Sequence, residues 1–164
     1  MFTIEKEFIS VRMAEIMPVI QGLLLNNNKA KLIVTGNSMY PFLRHGIDSV
    51  FLSSKETAVI KKGTIVLFLR ENGQYVLHRI KKLKKTSFFI VGDAQTNIEG
   101  PLDRNQIVAV VTSVYRGNKE ISCKSFSWRF LSILWLSVLP FRYYIIKSYL
   151  KLRKIFKKIF IVCI

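Results

Sequence analysis

Apolar positions recur along this chain with two different periods, and the changes of period mark its elements. Between residues 5 and 25, Phe8, Val11, Ile16, Val19 and Leu23 recur near helical spacing, and Asn26-Asn27-Asn28 closes the run. That pattern predicts an amphipathic helix, with Pro18 as a point where it kinks. From Ala30 onward the apolar runs shorten to strand length: Ala30 to Val34, Ser49 to Leu52, Thr64 to Arg70, Gln74 to Lys81, Phe88 to Val91 and Gln106 to Tyr115. Asn72-Gly73 separates two of these runs and predicts a tight hairpin, since both residue types tolerate positive φ. Asn97 to Pro101 reads as a loop. Short strands, tight connections and one early helix predict a mainly β unit of coiled antiparallel sheets.

The pattern changes again at about Phe126. Phe130 to Phe141 is apolar apart from Ser132 and Ser137, which is too short to span a bilayer, and Pro140 interrupts it. Extension to Leu150 reaches spanning length only by accepting Arg142 and Lys147. Further on, Ile145, Tyr149, Leu152, Phe156 and Ile159 form one helical stripe, and Lys147, Lys151, Lys154 and Lys158 form another. A basic helix with an aliphatic and aromatic side suits a membrane surface, its lysines on anionic headgroups and its apolar side at the acyl boundary. Packing of this tail on the β-rich unit is the alternative. The expected organisation is an N-terminal helix over 1–28, a β-rich unit over 29–125 and a basic apolar tail over 126–164.

Charge sharpens the picture of the tail. The formal net charge is +16 over 164 residues, and eight cations follow Phe126 with no acidic residue after Glu120. Such asymmetry points to an anionic partner, lipid headgroups or nucleic acid. No helix-turn-helix or RNA-binding signature accompanies the charge, so lipid is the expected partner. Lys61-Lys62, Lys81-Lys82 and Lys84-Lys85 read as solvated turn and edge positions. The N-terminus lacks the basic-then-apolar order of a signal peptide, and Lys6, Arg12 and Glu15 break any spanning helix before Leu25. Two cysteines, Cys123 and Cys163, and two histidines, His45 and His78, suggest neither a disulfide framework nor a metal site, and no cofactor is expected.

Ser38, His78 and Asp93 bring candidate chemistry. A serine hydroxyl is a poor nucleophile until a base takes its proton; a histidine is a good base near neutral pH, and a carboxylate can fix its tautomer. Each residue also has a plainer reading. Ser38 suits a turn or helix cap, His78 a core gap or the solvent side of a strand, and Asp93 the turn after Gly92. His45 reads as an exposed loop residue.

Ser38-Met39-Tyr40-Pro41 after a strand, then His78-Arg79-Ile80, then Gly92-Asp93 is an order that resembles the signal peptidase I family and its relatives, the repressor-type self-cleaving proteases. The His-Arg-apolar triplet is similar to the endoplasmic-reticulum type, where most bacterial members have a lysine base. The likeness spans roughly residues 31 to 112. It implies the coiled β-sheet fold of those proteases, a Ser38 nucleophile, a His78 base and an orienting acid at Asp93, with Asp103 and Glu99 as alternatives. It further implies a Ser38 backbone N–H that holds the oxyanion, and a precursor peptide bound as an extended strand with Met39 and Pro41 bordering it. Two departures stand out: Gly46-Ile47-Asp48 carries one residue more than the family's Gly-Asp, and Gly36 stands where some members place an oxyanion-holding hydroxyl. The expected function is a membrane-associated serine endopeptidase that removes a leader or signal peptide. The alternative is a catalytically inactive module that binds a membrane surface or nucleic acid through the basic tail.

Overall fold

The computed structural model describes the backbone of residues 13–162 and side chains through Arg153. The side chains of Phe8, Val11, Phe156, Ile159 and Cys163, named above, lie outside the described residues. Helix α1 (Met13–Leu25) packs Met17, Ile20 and Leu24 into the core, while Val19 is 67% and Leu23 39% exposed. The buried stripe therefore differs from the expected one. This helix is apolar on several sides, so its period predicts a helix without choosing which apolar side meets the sheet.

Eight strands follow: β1 (Ala30–Ile33), β2 (Ser49–Ser54), β3 (Ile65–Leu69), β4 (Tyr75–Leu83), β5 (Ser87–Val91), β6 (Glu99–Asp103), β7 (Ile107–Arg116) and β8 (Lys119–Ser122). They form one antiparallel sheet in the order β1-β2-β7-β3-β4-β5-β6, with β8 paired to the end of β7. Among the described residues the protein is thus mainly β, with three α-helices. Strand β6 falls where a loop was expected. Its Gly100-Pro101 reads as a breaker, yet β6 pairs only with β5, and an edge strand tolerates a proline because no neighbour needs its N–H. The β3–β4 hairpin also differs in detail: Gly73 has φ +82 while Asn72 does not reach positive φ. Gly73 N donates to Arg70 O and Arg70 N to Gln74 O, so the turn has three loop residues with glycine in the left-handed position.

Two apolar clusters flank the sheet. One gathers α1, Met39, Leu43, Val50, Leu52, Leu67 and Trp128; the other gathers Val66, Phe68, Ile80, Phe88 and Ile90. The division follows from strand alternation, since successive side chains point to opposite faces. Helix α2 (Phe126–Ser137) starts at Ser125, whose hydroxyl accepts from Trp128 N, and it buries Trp128, Ser132 and Leu136 at four-residue spacing. Its other side leaves Phe126, Phe130, Leu131 and Leu134 exposed. After a short 3₁₀ turn comes α3 (Arg142–Val162), at 71° to α2. No single helix among the described residues is long and apolar enough to cross a membrane. Of the expected apolar stripe on α3, Ile145, Tyr149 and Leu152 are exposed.

The loop from Val34 to Asp48 is tied down by a buried carboxylate. Asp48 is fully buried and accepts from the Arg44 backbone N–H, the Arg44 guanidinium and the Arg116 guanidinium. Arg116 also donates to Phe42 O at 2.7 Å. Burial alone pushes the Asp48 pKa up, but the bonds from Arg44 and Arg116 outweigh it and hold the carboxyl below its ordinary value. The extra residue in Gly46-Ile47-Asp48 thus belongs to a turn whose end is an anchor. Arg44 and Arg116 are 37% and 35% exposed, so water can partly solvate them once the carboxylate is gone, and what is lost is a set of charge-assisted bonds that tie the turn. Asp48→Ala is therefore expected to lose roughly 1–3 kcal/mol of stability in urea unfolding; a loss no larger than that of an exposed-site substitution would contradict the anchor.

Candidate active site

Strand β1 delivers the chain to Ser38 through Gly36, whose φ of +80 suits a residue without Cβ and whose N–H donates to His45 Nδ1 at 3.0 Å. His45 is exposed, as expected, yet it shapes the approach to Ser38. The Ser38 carbonyl accepts from Ala94 N at 2.8 Å. A Cβ added to Gly92 would lie 2.7 Å from that same oxygen, so the glycine permits the close approach of the two backbones. Among the described residues, the Ser38 backbone N–H donates to no main-chain partner. The box then crosses the end of β5: the Phe42 ring stacks 4.5 Å from the Arg79 guanidinium carbon.

His78 lies on the face of β4 that also carries Ile80, beside Phe68 at 6.0 Å between ring centroids. Arg79 pairs with Val91 across β4 and β5, and Gly92 follows Val91 just past the end of β5. The Ser38 carbonyl thus rests at the end of the strand that pairs with the one carrying His78. No hydrogen bond joins Ser38 Oγ and His78 among the described residues, and His78 Nδ1 is buried without a partner. Burial pushes the His78 pKa down to about 4, against the opposing field of Glu99, with Arg70 adding to the fall and Asp93 opposing it. The imidazole is neutral at pH 7 and keeps a lone pair for a proton.

Asp93 has another partner. Both of its oxygens accept from Arg79, from Nε at 2.8 Å and Nη2 at 2.7 Å, and both side chains are fully buried. Arg79 Nη1 donates to Gly63 O and to Ser132 Oγ, which brings α2 into the same network. Trp135 Nε1 donates to Asp93 O, and the buried Arg142 donates to Gly92 O, Gln95 O and Trp135 O. The first part of the tail thus holds the Gly92–Gln95 loop against which Ser38 rests. Sequence reading passed over Ser132, Trp135 and Arg142. Their one visible signal is a polar or basic residue inside an apolar run, the pattern of a buried hydrogen-bonding group.

The other sequence-selected residues are dispersed. Glu99, on β6, forms a two-pronged pair with Arg70 at 2.8 and 2.6 Å, and its charge is the strongest on His78. Arg70 bonding holds the Glu99 carboxyl below its ordinary pKa despite partial burial. Asp103 caps a 3₁₀ turn by accepting from Asn105 N, and its backbone N–H donates to Gln106 Oε1. Met39, expected to border a substrate, is 2% exposed and packs in the core, and Pro41 is half-buried. The box needs an apolar foot to hold its turn, and Met39 supplies it. Cys123 is a partly buried thiol whose pKa burial pushes up to about 12, so it stays protonated and is a poor nucleophile near neutral pH. Among the described residues, no three His, Cys, Asp or Glu side chains gather as a metal site needs.

Two consequences are measurable without knowledge of a substrate. Gly92→Ala forces its new Cβ on the Ser38 carbonyl, and the Ala94 amide is expected to lose protection in hydrogen exchange with a stability cost of about 1–3 kcal/mol. Unchanged Ala94 protection would rule out the close approach. His78 has a folded pKa below its unfolded value, so the unfolded chain binds the proton first. Stability is therefore intact above about pH 6.5 and falls as pH drops through the window toward 4. The full loss approaches roughly 3 kcal/mol. His78→Gln is expected to flatten that window in pH-dependent denaturation; an identical slope in the variant would contradict burial of a neutral imidazole.

No family model matches the chain, and no curated protein matches it.

Proposed function

We propose that the protein is a serine endopeptidase of the signal-peptidase type, acting on a leader or signal peptide of a precursor. The observation that carries this reading is the seating of the Ser38 main chain against Gly92 at the end of β5, the strand paired with the one that carries a neutral His78. In the proposed reaction Ser38 Oγ attacks the scissile carbonyl as His78 takes its proton, and His78 then returns that proton to the leaving amine. The unpaired Ser38 N–H is the oxyanion donor, a role worth on the order of 10²-fold or more in rate. General base help of this kind contributes about 10² to 10⁴-fold.

The two carboxylates divide the supporting work. Asp93 holds Arg79 and the loop under Ser38, so it acts as a positioning residue, while Glu99 supplies the larger negative field at the imidazole. Among the described residues, strand β1 has one unpaired edge, and it leads through Gly36 into the serine box. An extended substrate adding to that edge gains main-chain hydrogen bonds with modest demand on its side chains. The exposed aromatic and aliphatic side chains of α2 and α3, together with the cations of the tail, support contact with an anionic membrane surface. The rival reading, a binding module with a core histidine, draws on the missing Ser38 to His78 hydrogen bond.

Precursor cleavage decides between them. Ser38→Ala and His78→Ala are each expected to lower processing by about 10³-fold or more while the fold is retained by circular dichroism. Cleavage at the parental rate by both variants would leave the binding module standing. The free enzyme is active with His78 neutral, so the acid limb of kcat/KM is expected well below pH 6.5, near 4. Glu99→Gln removes a charge that raises this pKa, and the limb is expected to move further to acid. A limb at pH 6.5 or above would contradict a buried base.

A further inference from the structure

A cavity of about 360 Å³ lies between the sheet and α2, on the far side of Arg79 from His78. That volume is in the range of small-molecule sites, roughly 300–1,000 Å³. Its apolar lining comes from Ile65 of β3, Val111 of β7 and Trp128 and Ile133 of α2, with the neutral thiol of Cys123 adding to it. Lys61, Lys62, Lys124 and Arg129 add positive charge, and none of the lining residues is acidic. The hydroxyls of Thr64 and Thr112 also line the cavity but are engaged, with Lys61 N and with the Ser53 hydroxyl and Phe51 O respectively. The polar atoms that Gly63 and Ser132 present on this side are already engaged by Arg79 Nη1. What remains for a ligand is hydrocarbon surface with positive charge around it.

We infer that this cavity binds an anionic lipid, its acyl chain against Ile65, Val111, Trp128 and Ile133 and its headgroup on the four cations. The chemistry selects on both counts. A chain without charge forgoes the cations, and a small anion without a chain leaves the apolar lining wet. A membrane is the source the surface favours, because Ile133 is 40% exposed and continues into the open side of α2 with Phe126 and Phe130. The stacked Phe126 and Phe130 rings, 6.2 Å apart, stand beside Arg129 on that helix. This inference goes beyond the peptidase reading and does not rest on it. A lipid seated there touches Gly63 and Ser132, the groups that hold Arg79, and so adjoins the candidate active site from behind.

Trp128 reports the occupant directly. The chain has two tryptophans, so Trp135→Phe leaves Trp128 as the single tryptophan in the full chain, read by excitation at the red edge where tyrosine does not absorb. Titration with 16-doxyl-stearate below its micelle concentration is expected to quench Trp128 saturably. Dodecyl phosphate is expected to displace the probe, inorganic phosphate is not, and dodecyl maltoside is expected to be roughly tenfold weaker or worse. Ala58→Phe, which adds bulk at a partly buried lining position, and the double variant Lys61→Gln with Arg129→Gln are each expected to weaken binding roughly tenfold or more. Calorimetry of dodecyl phosphate on the unsubstituted chain gives the same ranking if Trp135→Phe disturbs the fold. Non-saturable quenching, equal competition by dodecyl maltoside or by inorganic phosphate, or parental affinity in both variants would overturn the inference. Because the readout is binding, its outcome is separate from any result on peptide cleavage.

Discussion

The buried pair between Arg79 and Asp93 is the interaction on which the site depends. A guanidinium and a carboxylate inside a protein lose most of their hydration, and that cost is offset only when every donor and lone pair finds a partner in good geometry. Here the fork is filled. Asp93 takes two of the donors, Gly63 and Ser132 share a third nitrogen, and the Phe42 ring covers the face of the cation. These partners come from four stretches of chain apart from the one that carries Arg79. None of them can move without exposing a charge.

Strand alternation lets that pair fix the geometry of the candidate site. Arg79 and His78 are neighbours on β4 and point to opposite faces, so fixing the arginine on one side fixes the imidazole on the other. Asp93 and Gly92 are neighbours in the same sense at the end of β5. The carboxylate is pinned by Arg79, while the glycine opens a space into which the Ser38 backbone fits. Burial then does the electrostatic work: His78 is kept neutral by desolvation, and Glu99 with its Arg70 partner trims its basicity from the rim. The same arrangement makes the site sensitive to distant packing. Arg142 and Trp135 hold the carbonyls of the loop that supports Ser38, although neither is near the imidazole in sequence.

The helical tail therefore has two parts with different physics. Its first half docks on the sheet through Trp128, Ser132, Leu136 and Arg142, each buried, and it shares the Arg79 network. Its second half carries exposed aromatic and aliphatic residues among cations. Helix α2 itself has a buried side that joins the Arg79 network and an exposed apolar side.

The local order of the chain was legible in the sequence. Apolar alternation placed most of the strands, Asn72-Gly73 placed the hairpin, and the spacing of Ser38, His78 and Gly92-Asp93 singled out the segments that meet. The reason is that strand period, turn chemistry and charge asymmetry are properties of a few adjacent residues. Gly100-Pro101 misled because its fitness for a strand depends on having a neighbour on one side only, which is a fact about the whole sheet. Only the tertiary structure decided that Asp93 serves Arg79, that Glu99 is the carboxylate most felt by His78, and that Arg142 is a buried strap in place of a membrane cation. Those roles are set by which groups lose water together, and desolvation is decided by packing across segments far apart in the chain.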